Sequence, residues 1–173
     1  MLSPVQISKR LQAASGYLDL EMPVEALAEL EPIEIADLRP LQYLRGSALM
    51  MQERYGEAVK IYRTMLRQRP DDVDAAVKKA WCEKRLDRLP DAIRTLEKSA
   101  KLNPREAILQ YNLACYHALT TDKPRCLSRL GFAIRLDRSY AALVNEEPDF
   151  DTLRSDTDFS SLVKLAIMGE VLS

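Results

Sequence analysis

The feature that most constrains this chain is a repetition: between Gly46 and Pro104 one arrangement of small, bulky and proline residues is written twice at a fixed offset. The first copy carries Gly46, Leu49, Tyr55, Gly56, Ala58, Tyr62, Met65 and Pro70. A shift of 34 positions gives Ala80, Leu89, Pro90, Ala92, Leu96, Ser99 and Pro104, and a second shift of 34 gives Ala114, Pro124, Cys126, Leu130 and Ala133. The register survives without an insertion. A period between about 20 and 50 residues belongs to stacked supersecondary units, none of which can bury its apolar face alone.

Each copy reads as a pair of helices, A and B, joined by a tight turn. Helix B is expected to open at Gly56, Pro90 or Pro124, because a first-turn proline gives up an N–H that the helix would leave unpaired anyway. In the middle of a helix the same proline would cost about 3 kcal/mol. Pro70 and Pro104 stop two of the B helices, and Arg138 stands in that place in the last copy. Gly46, Ala80 and Ala114 are small where A and B are expected to cross, facing Ala58, Ala92 and Cys126, since ridges interlock only over short side chains. Tyr62, Leu96 and Leu130 are expected to fill the space between one hairpin and the next.

Upstream, Ser3 before Pro4 fits an N-cap, and Val5, Ile7, Leu11, Ala14 and Leu18 follow helical spacing. A second helix is expected around Pro23, carrying Val24, Ala26, Leu27 and Leu30. Ala26 lies 32 residues before Ala58, two short of the period, so this pair is a degenerate copy, as terminal repeats often are. After Asp137 the period fails and acids gather: Glu146, Glu147, Asp149, Asp151, Asp156 and Asp158. Tyr140, Leu143, Phe150, Leu153, Phe159, Leu162 and Leu165 supply an apolar face there, with Asp156 or Asp158 capping a last helix through about Met168. The expected organisation is one all-α domain over 1–173: a degenerate repeat at 4–36, repeats at 38–70, 72–104 and 105–138, and a capping segment at 139–173.

Several functions are disfavoured. The 25 basic and 26 acidic residues leave a net charge of -1, which supplies no overall attraction to nucleic acid. The N-terminal residues hold no apolar signal core, and no run approaches the ~18 apolar residues that membrane insertion requires. A cytoplasmic location is expected, unless a leader preceded this numbering. Cys82, Cys115 and Cys126 share no metal-binding spacing and read as free buried thiols. His117 is the single histidine, so neither a His-rich metal site nor a good Cys/His nucleophile pair with Cys115 is available. Five glycines form no phosphate-cradling loop. No catalytic residue, metal or cofactor is expected.

The spacing of a small residue, an aromatic or Leu before helix B, Ala, a large apolar residue and Pro closely resembles the tetratricopeptide repeat. The best copy is LQYLRGSALMMQERYGEAVKIYRTMLRQRPDD, and the pattern's usual Trp is replaced by Gln42, Ala76 and Gln110. The sequence DFDTLRSDTDFSSL looks like a closing segment appended to such stacks. The resemblance implies a right-handed α-solenoid of about four helix-turn-helix repeats with a C-terminal helical cap, the A helices lining a concave groove.

Projecting that family's inward positions onto this chain gives Leu11, Ser15 and Leu18 from the first unit. The next three units give Tyr43, Ser47 and Met50, then Val77, Lys78, Trp81, Lys84 and Arg85, then Tyr111, Asn112, Cys115 and Ala118. Helical spacing separately puts Tyr43, Ser47 and Met50 on one face, and Val77, Trp81 and Lys84 on another. The partner-binding set is expected to be Tyr43, Ser47, Met50, Lys78, Trp81, Lys84, Arg85, Tyr111, Asn112 and Cys115, with Trp81 as anchor or as a core residue. Only Asn112 suits the Lys/Asn clamp by which some members hold a terminal carboxylate. The expected function is a non-enzymatic adaptor or scaffold that binds a peptide or helix of a protein partner, without nucleic acid or membrane insertion. A dedicated chaperone for a secreted or membrane-inserting client and a self-assembling scaffold are the alternatives, and the oligomeric state is left open.

Overall fold

The computed structural model describes residues 2–35 and 38–168 and is all-α, with no strand among the described residues. The end of the first repeat at 36 and the last positions of the capping segment, from 169 onward, lie outside the described residues. Two compact units divide the chain, Met1–Arg88 and Leu89–Ser173.

The first unit holds α1 (Pro4–Asp19), α2 (Pro23–Leu30), α3 (Arg39–Met51), α4 (Tyr55–Gln68) and α5 (Val73–Arg85). Ser3 caps α1 as expected: its hydroxyl accepts from the Gln6 N–H while the Gln6 side chain accepts from the Ser3 N–H. The core lies in two clusters. Ala14, Ala26, Leu30, Ile33, Leu41 and Ala48 bind α1, α2 and α3 together. Leu49, Ala58, Val59, Tyr62, Met65, Ala75 and Cys82 do the same for α3, α4 and α5.

Gly46 is small for a sharper reason than helix crossing alone. A Cβ there would meet the Tyr62 ring, 2.6 Å from Cζ. Tyr62 therefore fills its own hairpin, against α3, and also packs with Ala75 and Cys82 of the next, where the spacing expects it.

The second unit holds α6 (Leu89–Leu102), α7 (Ala107–Leu119), α8 (Lys123–Leu136), α9 (Ser139–Leu143), a 3-10 helix (Pro148–Leu153) and α10 (Thr157–Met168). From Leu109 to Ala118 every α7 residue except Asn112 is buried, so α7 is covered on nearly all sides. Asp156, not Asp158, caps α10: its Oδ1 accepts from the N–H groups of Asp158 and Phe159 at 3.0 and 3.1 Å. Lys123 Nζ then bridges Asp156 and Asp158 at 2.7 Å each, tying the start of α8 to the start of α10.

The B helices start one residue before the expected Gly56, Pro90 and Pro124, which occupy the second helical position. The reason lies in the turn. Glu21, Glu53, Asp87 and Thr121 all have φ of 58°, the left-handed conformation that ends a helix. At each, two reversed hydrogen bonds close the A helix, as in Glu53 N–H to Met50 O at 3.0 Å and Arg54 N–H to Leu49 O at 2.9 Å. The last three of these positions repeat every 34 residues, so the repeat is a backbone device as well as a side-chain pattern.

Candidate functional site

On the first unit, the A helices α3 and α5 carry seven of the ten sequence-selected residues. Their N-terminal ends are joined by Arg39, whose Nε donates to Asp72 Oδ2 at 2.8 Å. Asp72 also caps α5 through Oδ1 and the Ala75 N–H at 3.1 Å. Burial would raise the Asp72 carboxyl, but the hydrogen bonds from Arg39 and Ala75 and the guanidinium charge bring it below its ordinary value.

One helical turn further on, Lys78 Nζ sits 5.2 Å from the centre of the Tyr43 ring. Tyr43 is half-buried, and burial, helped by the Asp74 charge, raises its phenol pKa. Ser47 and Met50 are also half-buried, and both engage the hydroxyl of Tyr62, with Met50 Sδ 3.4 Å away.

At the far end Trp81 answers the question of core or face with both. It packs on the cluster of Tyr62 and Cys82 yet keeps part of its surface outside, its ring meeting Tyr55 edge-on at 5.5 Å. Arg85 is exposed and lays its guanidinium over both rings, 5.5 Å from Tyr55 and 5.6 Å from Trp81. Neither Lys78 nor Arg85 is held by a carboxylate among the described residues; each rests on an aromatic ring instead. Lys84 is half-buried beside them. The face is a set of rings with the Lys78 and Arg85 cations laid over them. Sequence reasoning leaves Tyr55 out of the site, because the repeat pattern already accounts for it at the start of helix B.

The second unit treats its share differently. Tyr111 is 7% exposed and Cys115 2%, so neither lines an open surface. The expectation that they bind a partner is corrected by this burial, which at Tyr111 comes from Tyr140, 4.7 Å from its ring, and Phe150, edge-on at 5.9 Å. Burial raises the Tyr111 phenol, and Cys115, Glu147 and Asp149 add to that direction. Asn112 is half-buried and turns its amide onto its own helix, donating to Ile108 O at 2.8 Å.

The three cysteines are buried and form no disulfide among the described residues, and burial pushes Cys82 up to about 11 and Cys126 to about 12, far from a nucleophile's range. Among the described residues no group of three or more His, Cys, Asp or Glu could hold a metal, and no helix is long and apolar enough to cross a membrane.

The tetratricopeptide-repeat profiles match residues 11–73 and 49–114. The chain is 33% identical over 60 residues to Hsp70-Hsp90 organizing protein 3 of Arabidopsis thaliana, a match that spans 35% of this chain and only 11% of that relative. Among solved structures it is similar to MamA, residues 41 to the end, from Desulfovibrio magneticus RS-1. There the TM-score is 0.73 at 20% identity, covering 95% of this chain and 94% of that one. A thermophilic TPR protein of Thermus thermophilus gives 0.65 at 17% identity, covering 94% and 99%. At those identities the structural likeness speaks for the fold, which agrees with the repeat spacing, the shared turn and the profile matches: the chain belongs to the tetratricopeptide-repeat family.

Proposed function

We propose that this protein is a cytoplasmic adaptor that binds a peptide or helix of a protein partner on the α3–α5 face, through Tyr43, Lys78, Trp81, Lys84 and Arg85 with Tyr55. Family membership supports a protein-interaction module. The observation that carries the finer reading is that Lys78 and Arg85 sit over rings with no carboxylate to neutralise them among the described residues. Aromatic side chains and Arg are the groups enriched where proteins meet, because rigid rings bury area at little entropic cost. Three cysteines with no disulfide among the described residues suit a reducing compartment.

The test is affinity capture from native lysate with the intact chain and with a Lys78→Glu/Arg85→Glu double variant. Arg85 is exposed, Lys78 is half-buried, and neither is held by a carboxylate among the described residues, so the variant should keep the parent's circular dichroism and melting temperature. Loss of the captured proteins is expected, and an unchanged set would overturn the assignment of this face.

A further inference from the structure

The molecule contains an intramolecular example of what covers such a face. Shifting Tyr43 by two periods of 34 gives Tyr111, on α7. There the chain's own C-terminal segment folds back and the 3-10 helix packs against α7. Its contribution is chemically simple: Phe150, fully buried, meets the Tyr111 ring, while Glu147 and Asp149 lie near enough to raise that phenol's pKa. Glu147 Oε1 accepts from the Asp149 N–H at 3.2 Å, which winds the segment so that the phenylalanine points in from between acids. Glu147, Asp149, Phe150 and Asp151 are thus a short acidic stretch built around one ring.

The face on α3 and α5 has the same aromatic starting point and better charge for that ligand. The α5 positions Lys78, Trp81, Lys84 and Arg85 correspond, one period on, to Asn112, Cys115, Ala118 and Leu119 of α7. At α7 an acidic segment is held by ring packing with no cation at these positions. On α5 the same positions offer an indole with the Lys78 and Arg85 cations beside it, each laid over a ring. Since opposite charge at close range favours association and like charge opposes it, an acidic strand with one aromatic anchor suits the α5 face more than a basic or uncharged one.

We propose that the α3–α5 face takes a short acidic peptide segment centred on a phenylalanine, of the type that residues 147–151 present to Tyr111. The ring inserts against Tyr43, Tyr55 and Trp81, and the flanking carboxylates pair with Lys78 and Arg85. The recognition is internal to the partner's sequence and requires no free C-terminus. This inference rests on the proposed function of that face and narrows it to a ligand class.

Trp81 is the single tryptophan, so its emission reports this face directly. The experiment titrates the full chain with a synthetic peptide of residues 145–154, blocked at both ends, and follows Trp81 fluorescence and the anisotropy of a labelled copy. Saturable binding is expected. It should weaken by about tenfold or more in the Lys78→Glu/Arg85→Glu chain, and likewise for peptides with Phe→Ala or with the acids changed to amides. Restoring charge complementarity by giving the double variant a peptide with Lys in place of the acids should recover binding, which a merely unfolded variant would not do. Absence of saturable binding to the parent chain overturns the ligand class, as does binding that ignores the two charge reversals. Capture of partners by the parent and not by the double variant would in that case still hold the face itself in place, so the two readings fail separately.

Discussion

Helices α3 and α7 occupy equivalent places two periods apart, and both carry a tyrosine at the same register, Tyr43 and Tyr111. Tyr43 is half-buried under a lysine amine, while Tyr111 is closed off by Tyr140 and Phe150. The difference teaches that a repeat residue's role is set by what lies across from it. Where the non-periodic tail returns, the tyrosine becomes core. Where no described segment covers it, the tyrosine and its neighbours remain a surface, and the cations gathered on α5 have no counterpart on α7.

The largest expected effect is at the cover itself. Phe150→Ala empties a fully buried site and should cost about 3–5 kcal/mol in denaturant unfolding, with faster amide exchange in α7. Trp81→Ala, which removes a half-buried ring, should cost roughly half as much. Equal losses would break the comparison, because Trp81 would then be core rather than face.

Next comes the support beneath α3. Gly46→Ala drives a methyl into the Tyr62 ring and is expected to cost about 1–3 kcal/mol. Gly56→Ala, where nothing lies within 4 Å of the added Cβ, should instead gain about 0.5–1 kcal/mol from helix propensity. Opposite signs in equilibrium unfolding would confirm that α3 is tight on its inner side while the start of α4 is open.

A smaller effect separates the turns. Thr121, after α7, and Glu53, after α3, share a left-handed φ of 58° that a β-branched side chain tolerates worse. Thr121→Gly should stabilise by about 1 kcal/mol and Glu53→Gly by less, read from the shift in unfolding midpoint. A larger gain at Glu53 would mean the two turns are strained for different reasons.

The smallest is a pH dependence confined to the second unit. His117 on α7 is buried, and burial, reinforced by Arg125 and Arg129 against Asp122 and Glu97, lowers its pKa from the ordinary 6.5. A lowered folded value means the unfolded chain binds the proton more readily, so this contribution to stability is whole above 6.5 and erodes as pH falls through 6.5 toward the folded value. Hydrogen exchange between about pH 7.5 and 5 should show α7 loosening more than α3, and His117→Gln should flatten the difference. The first unit has no histidine to respond.

Much of the fold is legible in the sequence because it is local. The 34-residue spacing, the prolines two residues beyond α4 and α6, and the cap at Asp156 each depend on a few neighbouring residues. The family resemblance singles out Trp81 and Arg85 as candidates, but their joint arrangement with Tyr55 is not visible in the sequence, since the three meet across two helices. Tyr111 and Cys115 are misplaced by sequence reasoning for the same reason. Periodicity puts them in the same register as exposed positions, and nothing periodic announces where Phe150 will land.

What the amino-acid sequence determined alone is the paired helices of the repeats and where the chain turns between them, because caps and prolines act within a few positions of themselves. What only the tertiary structure decided is which A-helix surface stays open. That choice is made by contacts between residues about 39 positions apart, Tyr111 and Phe150, whose energy comes from burying rings together and is not encoded in the spacing of either segment.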